Sequence, residues 1–308
     1  MMPIRIAIVG LGKIARDQHV PAIAATPGIE LAAVASRNAA LDGVAHFASL
    51  DELLARAPDI DAIALCTPPQ VRRAQAAAAV AAGKHVLLEK PPGATVSEIA
   101  PLLAAAQDSG KTLFSSWHSR FAPAVEPARA FLANRHIRSV AITWKEDVRI
   151  WHPGQRWIFE AGGLGVFDPG INALSILTRI LPQPFFLTKA ELSFPSNRAA
   201  PIAADLDFTD HGGTPIHAEF NFLQTGPQTW EIQVETDDGW LTLSAGGARL
   251  SYAGVALADE TLAEYPALYQ HFVDLIHHGV CDVDLAPLVH VADAFMLGRR
   301  LTVAAFEE

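Results

Sequence analysis

The six residues Gly10-Leu11-Gly12-Lys13-Ile14-Ala15 constrain the fold more than any other stretch of the chain. They match G-x-G-x-x-[GA], follow an apolar run from Ile4 to Val9 that reads as a strand, and open a segment that reads as a helix. In that context each small residue has a reason. Gly10 permits a tight turn, Gly12 lets backbone approach a pyrophosphate, and Ala15 lets the helix pack closely on the sheet. The helix start then offers N–H groups and the positive end of its dipole to phosphate. The implied ligand is a dinucleotide, with Gly10, Gly12, Lys13 and Ile14 around it. From Ile4 to about Trp117 the strand, turn and helix rhythm repeats, as in a parallel sheet covered by helices. Strands are expected at Ile4–Val9, Leu31–Ala35, Ile60–Cys66, His85–Leu88 and Thr112–Ser115, and a helix over Ala74–Ala82 between Pro68-Pro69 and Gly83.

After Phe121 the texture changes. Ser139–Asp147, Leu187–Phe194, Ile202–Asp207, Ile216–Leu223, Glu231–Glu235 and Trp240–Leu243 read as longer, partly alternating strands. Turns such as Asp210-His211-Gly212-Gly213 and Asp237-Asp238-Gly239 join several of them, which predicts a mainly antiparallel sheet. Helical patterns return at Ile171–Ile180, Glu260–His278 and Pro287–Ala305. The fold class is therefore α/β: an N-terminal Rossmann dinucleotide-binding domain, 1–118, and a C-terminal α+β domain with an open, mainly antiparallel sheet, 119–308.

Composition narrows the function. A chain of 308 residues is long enough for two cores, and with half its residues hydrophobic and 18% charged it collapses. A net charge of −10 repels phosphate backbones and anionic lipid, so neither nucleic acid nor a membrane surface is an expected partner. Cys66 and Cys281 form no disulfide framework and no metal-ligand spacing, which fits a reducing compartment. With no apolar run of membrane-spanning length and no secretory signal at Met1-Met2-Pro3, the expected location is the cytoplasm.

The end of the second strand commonly presents an acidic residue to the ribose 2′-hydroxyl of NAD. Here it reads Ala35-Ser36-Arg37-Asn38. Without a carboxylate to repel a 2′-phosphate, and with the Ser36 hydroxyl and Arg37 guanidinium to bind it, NADP is the expected preference over NAD. An ordinary exposed arginine is the plainer account of Arg37. Two further segments end strands at the edge where open α/β sheets bind ligands: Cys66-Thr67-Pro68-Pro69 and His85-Val86-Leu87-Leu88-Glu89-Lys90-Pro91.

Together with the glycine turn, these segments resemble the glucose-fructose oxidoreductase and inositol dehydrogenase family over essentially the whole chain. The resemblance implies that Thr67, Pro68 and Glu89 border the cofactor and that Lys90 is a catalytic lysine beside the nicotinamide. Gly162-Gly163-Leu164-Gly165-Val166-Phe167-Asp168-Pro169-Gly170-Ile171-Asn172 resembles the family's glycine-rich D-x-x-x-H segment, with Asn172 in place of the commoner histidine. If Asp168 opens a helix, the i,i+4 spacing points Asp168 and Asn172 to one side; alternatively Asp168 is an N-cap ahead of Pro169. Asn172 cannot exchange a proton at neutral pH, so acid/base work falls to Asp168, Lys90 or a water between them.

Within the family the D-x-G-x-N form is similar to that of bacterial aldose 1-dehydrogenases. The likeness extends over Lys145-Glu146-Asp147-Val148-Arg149-Ile150-Trp151-His152-Pro153-Gly154-Gln155 and implies that Glu146 and His152 bind sugar beside a Trp151 wall, with His118 and Trp230 as further pocket residues. Such groups suit a pyranose, because polar side chains hold ring hydroxyls while an indole covers the apolar C–H patch. Trp144, Trp157 and Trp240 are expected in the core. The resemblance implies NAD(P)-dependent oxidation of an aldopyranose such as L-arabinose, D-galactose or D-fucose at C1 to the lactone, without a metal, by a homodimer. A family relative acting on a polyol or another carbonyl compound, and a non-catalytic NADP sensor, are the alternatives.

Overall fold

The computed structural model describes residues 2–259 and 264–307. The chain divides into two compact units: Met1–His118 with Tyr265–Asp284, and Ser119–Glu264 with Leu285–Glu308. The expected 1–118 and 119–308 division is corrected in one respect, since a late segment returns to the first unit. The cause is apolar cover. The Glu264–His278 helix buries Tyr265, Leu268, Tyr269, Phe272 and Val273, and Phe272 stacks on Phe114 with ring centroids 6.0 Å apart. Of the expected Glu260–His278 helix, residues 260–263 lie outside the described residues.

The first unit holds a six-stranded sheet of β1 (Ile4–Val9), β2 (Ile29–Ala35), β3 (Ala45–Phe47), β4 (Ala62–Leu65), β5 (His85–Glu89) and β6 (Leu113–Ser116). Its strand order is β3-β2-β1-β4-β5-β6, with every pair parallel. β4 is buried at all four positions, the continuous apolar pattern of a strand covered on both faces. β3 was not anticipated, being three residues long and largely exposed. Strand order reverses between β1 and β4, so the residues that follow β1, β4 and β5 emerge on one sheet edge.

The second unit holds a nine-stranded sheet: β7 (Ile137–Lys145), β8 (Phe185–Pro195), β9 (Ala203–Asp210), β10 (Pro215–Asn221), β11 (Thr229–Thr236), β12 (Gly239–Ser244), β13 (Arg249–Tyr252), β14 (Val255–Asp259) and β15 (Arg299–Val303). The order is β14-β13-β12-β11-β7-β10-β9-β8-β15, parallel only at β7/β10 and β8/β15 among the described residues. One face, with Val140, Ile142, Trp144, Ile216, Ala218, Phe220, Ile232 and Val234, is buried. The helices Val125–Leu132, Phe167–Ile180 and Ala286–Leu297 pack within this unit. The opposite face is polar, as the alternation along each strand requires.

Three expectations are corrected here. The helix expected over Pro287–Ala305 stops at Leu297, and Arg299–Val303 becomes β15 alongside Glu191–Pro195. A Cβ on Gly298 would lie 2.4 Å from the Ala294 carbonyl oxygen and 2.9 Å from Leu192 Cδ1, so the glycine permits a close turn into the sheet. Trp240 is 45% exposed, because the inward positions of β12 are Leu241 and Leu243. Trp157 is half-buried, while Trp144 is core and stacks on Trp230 at 6.0 Å.

Candidate active site

In the first unit the turn after β1 closes tightly against the end of β4. Gly10 has φ +91°, and a Cβ there would lie 2.9 Å from Thr67 Cγ2 and 3.0 Å from the Cys66 carbonyl carbon. A Cβ on Gly12 would meet nothing within 4 Å. The turn thus has one glycine forced by packing and a second facing open space, a cradle that fits a pyrophosphate. Ala15 is fully buried, as close helix–sheet packing demands. Ile14 is 38% exposed, and Lys13 forms an ion pair with Asp17 on the helix surface. Thr67 Oγ1 donates to Gln75 Oε1 at 2.5 Å, and Pro68 leads into the Pro69–Ala81 helix. Ser36 and Arg37 follow β2 directly; Ser36 is half-buried and Arg37 exposed, with no carboxylate among residues 36–38. These residues fit a nicotinamide dinucleotide.

β5 ends in Glu89, followed by half-buried Lys90 and a cis Lys90–Pro91 peptide bond. Glu89 is 3% exposed. Its Oε1 accepts the Tyr265 hydroxyl at 2.7 Å and lies 3.3 Å from His19 Nε2, while His19 Nδ1 meets Tyr269 Oη at 2.7 Å. Burial pushes the Glu89 carboxyl up, but the His19 hydrogen bond and the charges of His19, His118 and Lys90 more than offset it, leaving it at about 2. Burial likewise pushes His19 down, and Cys66, Tyr269 and Glu89 reverse that, holding it well above its ordinary 6.5. Glu89 and His19 thus form a buried ion pair at 3.3 Å. The Glu89 carboxylate is therefore engaged inside the protein. His118 stacks on Tyr265 at 5.2 Å with an 18° interplanar angle, which places it with this group.

The second unit gathers the other residues singled out in the sequence. Glu146, 2% exposed, follows β7, and its Oε2 accepts Trp230 Nε1 at 2.9 Å. His152 Nε2 approaches Glu146 Oε1 at 3.2 Å without hydrogen-bond alignment, so that buried oxygen has no hydrogen-bond partner. His152 Nδ1 lies 3.7 Å from Asp168 Oδ2, so the imidazole stands between two buried carboxylates. Trp151, 39% exposed, tilts against Trp230 at 4.8 Å. Asp168 is the second residue of the Phe167–Ile180 helix, whose N-cap is Val166, so the N-cap alternative for Asp168 is corrected. Half-buried Asn172 follows one helical turn later. Gly170 lets this helix press on β10, since a Cβ there would lie 2.5 Å from Phe220 Cδ2. Arg149 holds Asp147 through paired bonds of 2.8 Å.

Sequence reasoning missed His19, Arg72, Tyr265 and Tyr269. A histidine one turn beyond the glycine motif was the only local signal available for any of them. Arg72, 3% exposed, donates to the backbone oxygens of Thr67, Glu89 and Pro91.

Residues 4–116 match the model of an oxidoreductase family with an NAD-binding Rossmann fold. A galactose 1-dehydrogenase from Pseudomonas fluorescens is 50% identical over 306 residues, covering 99% of each chain. The crystal structure of a D-galactose-1-dehydrogenase protein from Rhizobium etli superposes with a TM-score of 0.95 at 58% identity, covering 100% of this chain and 99% of that one. A 3-ketoreductase from Actinomadura kijaniata, solved with NADP and TDP-benzene, shares the fold at a TM-score of 0.84 and 20% identity, over 98% of this chain and 99% of that one. With half its residues shared over its whole length and the nucleotide cradle in place, the chain is an enzyme belonging to the oxidoreductase family with an NAD-binding Rossmann fold.

Proposed function

We propose that this oxidoreductase oxidises the C1 hydroxyl of a galactose-configured aldopyranose to the lactone, with NADP preferred over NAD. The observation that carries the reading is Glu146 Oε1, a buried acceptor without a hydrogen-bond partner, beside His152, while the other oxygen of the same carboxylate holds the Trp230 indole against which Trp151 tilts. A ring hydroxyl satisfies such an oxygen, and an indole face suits the C–H side of the same ring. The full-length likeness to galactose 1-dehydrogenases supports the same substrate class.

A bound nicotinamide supplies the hydride acceptor. Asp168 is assigned the C1-hydroxyl proton, because it is the buried carboxylate of the D-x-G-x-N segment and has His152 at 3.7 Å. Lys90 is assigned the negative charge developing on the C1 oxygen. Asn172, one turn from Asp168, orients the hydroxyl or the carboxylate and moves no proton. Glu146 and His152 hold ring hydroxyls. D-Galactose, L-arabinose and D-fucose share ring configuration at C2, C3 and C4 and differ at C5, so one pocket serves all three, with steric discrimination of about 1–3 kcal/mol. No helix among the described residues is long and apolar enough to cross a membrane; cytoplasmic residence is proposed, in keeping with the two unpaired thiols Cys66 and Cys281. A homodimer is proposed too, and sedimentation at twice the chain mass is the expected result.

The test follows nicotinamide reduction with D-galactose, L-arabinose, D-fucose, D-xylose and myo-inositol, each with NADP and with NAD. Turnover concentrated on the first three sugars is expected. NADP binding without turnover on any sugar overturns the reading in favour of a nucleotide sensor, and turnover on myo-inositol alone favours a polyol dehydrogenase.

A further inference from the structure

Lys90 lies in a loop, and loops hold side chains less accurately than strands do. The main chain around it is nevertheless gripped. Arg72, on the Pro69–Ala81 helix, reaches across to the sheet edge and donates through one guanidinium nitrogen to the carbonyl oxygens of Glu89 and Pro91, the two residues flanking Lys90. Its other terminal nitrogen donates to the carbonyl oxygen of Thr67, in the loop that closes against Gly10. One planar, charged fork thus ties the loop after β4 to the loop after β5, with charge-assisted bonds to three backbone oxygens. Below, the Glu89 side chain is fixed by Tyr265 at 2.7 Å and by His19 at 3.3 Å, and His19 by Tyr269 at 2.7 Å. His19 comes from the Ala15–His19 π-turn that follows the glycine motif, an irregularity common at functional sites. A guanidinium that is 3% exposed is costly to bury, and the three carbonyl oxygens it serves offset that cost.

We propose that Arg72, backed by the His19–Glu89–Tyr265 group, is the positioning residue for Lys90: it holds the backbone on both sides of that lysine and couples it to the loop facing the glycine turn. The proposal rests on Lys90 acting at the substrate oxygen, as assigned above. Lysine at position 72 keeps the charge but not the fork, so it cannot hold three carbonyls in one plane.

The experiment compares wild type with Arg72→Met, Arg72→Lys and Tyr265→Phe. It reads kcat and KM for D-galactose, NADP affinity by tryptophan fluorescence, and the crystal structure of each variant. In Arg72→Met, kcat is expected to fall about 10–100-fold while galactose KM and NADP Kd move less than about threefold, with the 89–91 backbone displaced. Arg72→Lys recovers part of kcat, and Tyr265→Phe lowers it less than Arg72→Met does. A folded Arg72→Met with kcat within about twofold of wild type and residues 89–91 unmoved overturns the proposal. So does a fall in kcat matched by equal losses in KM and Kd, which marks a merely structural role. If Arg72→Met does not fold, the same criteria apply to Arg72→Lys. If wild type turns over no sugar, the functional reading fails on its own; displacement of residues 89–91 in the variant structures still upholds the positioning role, and an unmoved backbone overturns it.

Discussion

Glu146 combines near-complete burial with one satisfied and one unsatisfied oxygen, and the two make different predictions. Replacing it by glutamine keeps an acceptor for Trp230 but turns the other end into a donor or weakens it as an acceptor. Glu146→Gln is expected to raise KM for galactose by about tenfold or more while NADP affinity stays unchanged, since a buried hydrogen bond to a charged group is worth about 1.5–3 kcal/mol. Steady-state kinetics with fluorescence titration of NADP checks it. At the other ligand, Ser36→Asp places a carboxylate where a 2′-phosphate would sit and where a 2′-hydroxyl would be welcomed. The expected outcome is a rise of about 10–100-fold in KM for NADP with little change or a gain for NAD, read as the ratio of kcat/KM for the two cofactors. An unchanged ratio removes Ser36 and Arg37 from cofactor choice.

Among the elements, the β5 end is secured by ions rather than by apolar contact. Glu89→Ala takes the carboxylate from buried His19 and the acceptor from the Tyr265 hydroxyl, a loss of up to about 3–5 kcal/mol that denaturant unfolding would register. What the sequence allowed to be read follows from how local each signal is. β1, β2, β4, β5 and β6 were legible because short apolar runs punctuated by turns need no partner to be recognised, and the glycine turn carries its own context. Glu146, Trp151, His152, Asp168 and Asn172 were singled out through motif resemblance, and all five lie in the second unit. Trp240 was misread as core although Leu241 and Leu243 already fixed the inward positions of β12, so alternation should have overruled the size of the indole. β15 was hidden because Arg299–Val303 becomes a strand only by pairing with Glu191–Pro195, about a hundred positions earlier. Arg72 sits in an Ala-rich helix with Arg73 beside it, and nothing local says which arginine turns inward.

At the scale of the whole molecule, pH acts on stability through several groups: buried His19, raised well above 6.5, contributes stability that is lost as pH rises, whereas His85 and Glu89 act on the acid side. His85, half-buried with its Nδ1 accepting the Thr112 N–H at 3.0 Å, is pushed down from 6.5 to about 4 by burial and by Lys111. A histidine held below its unfolded value contributes stability that is present above pH 6.5 and is lost as pH falls through about 4. Glu89, held at about 2 against an ordinary 4.5, contributes stability present above pH 4.5 and lost as pH falls toward 2. Thermal midpoints are therefore expected to decline on acidification in two overlapping windows, and His85→Gln should flatten the upper one without touching the lower. Flat midpoints between pH 6.5 and 4 in wild type would contradict the His85 assignment. The return of Tyr265–Asp284 to the first unit has a bearing on biosynthesis as well. A ribosome adding about 5–20 residues per second delivers Tyr265 and Tyr269 only ~7–30 s after His118, so the nascent nucleotide-binding half waits, with His19 and Glu89 uncapped, until the stretch encoded between them has been made.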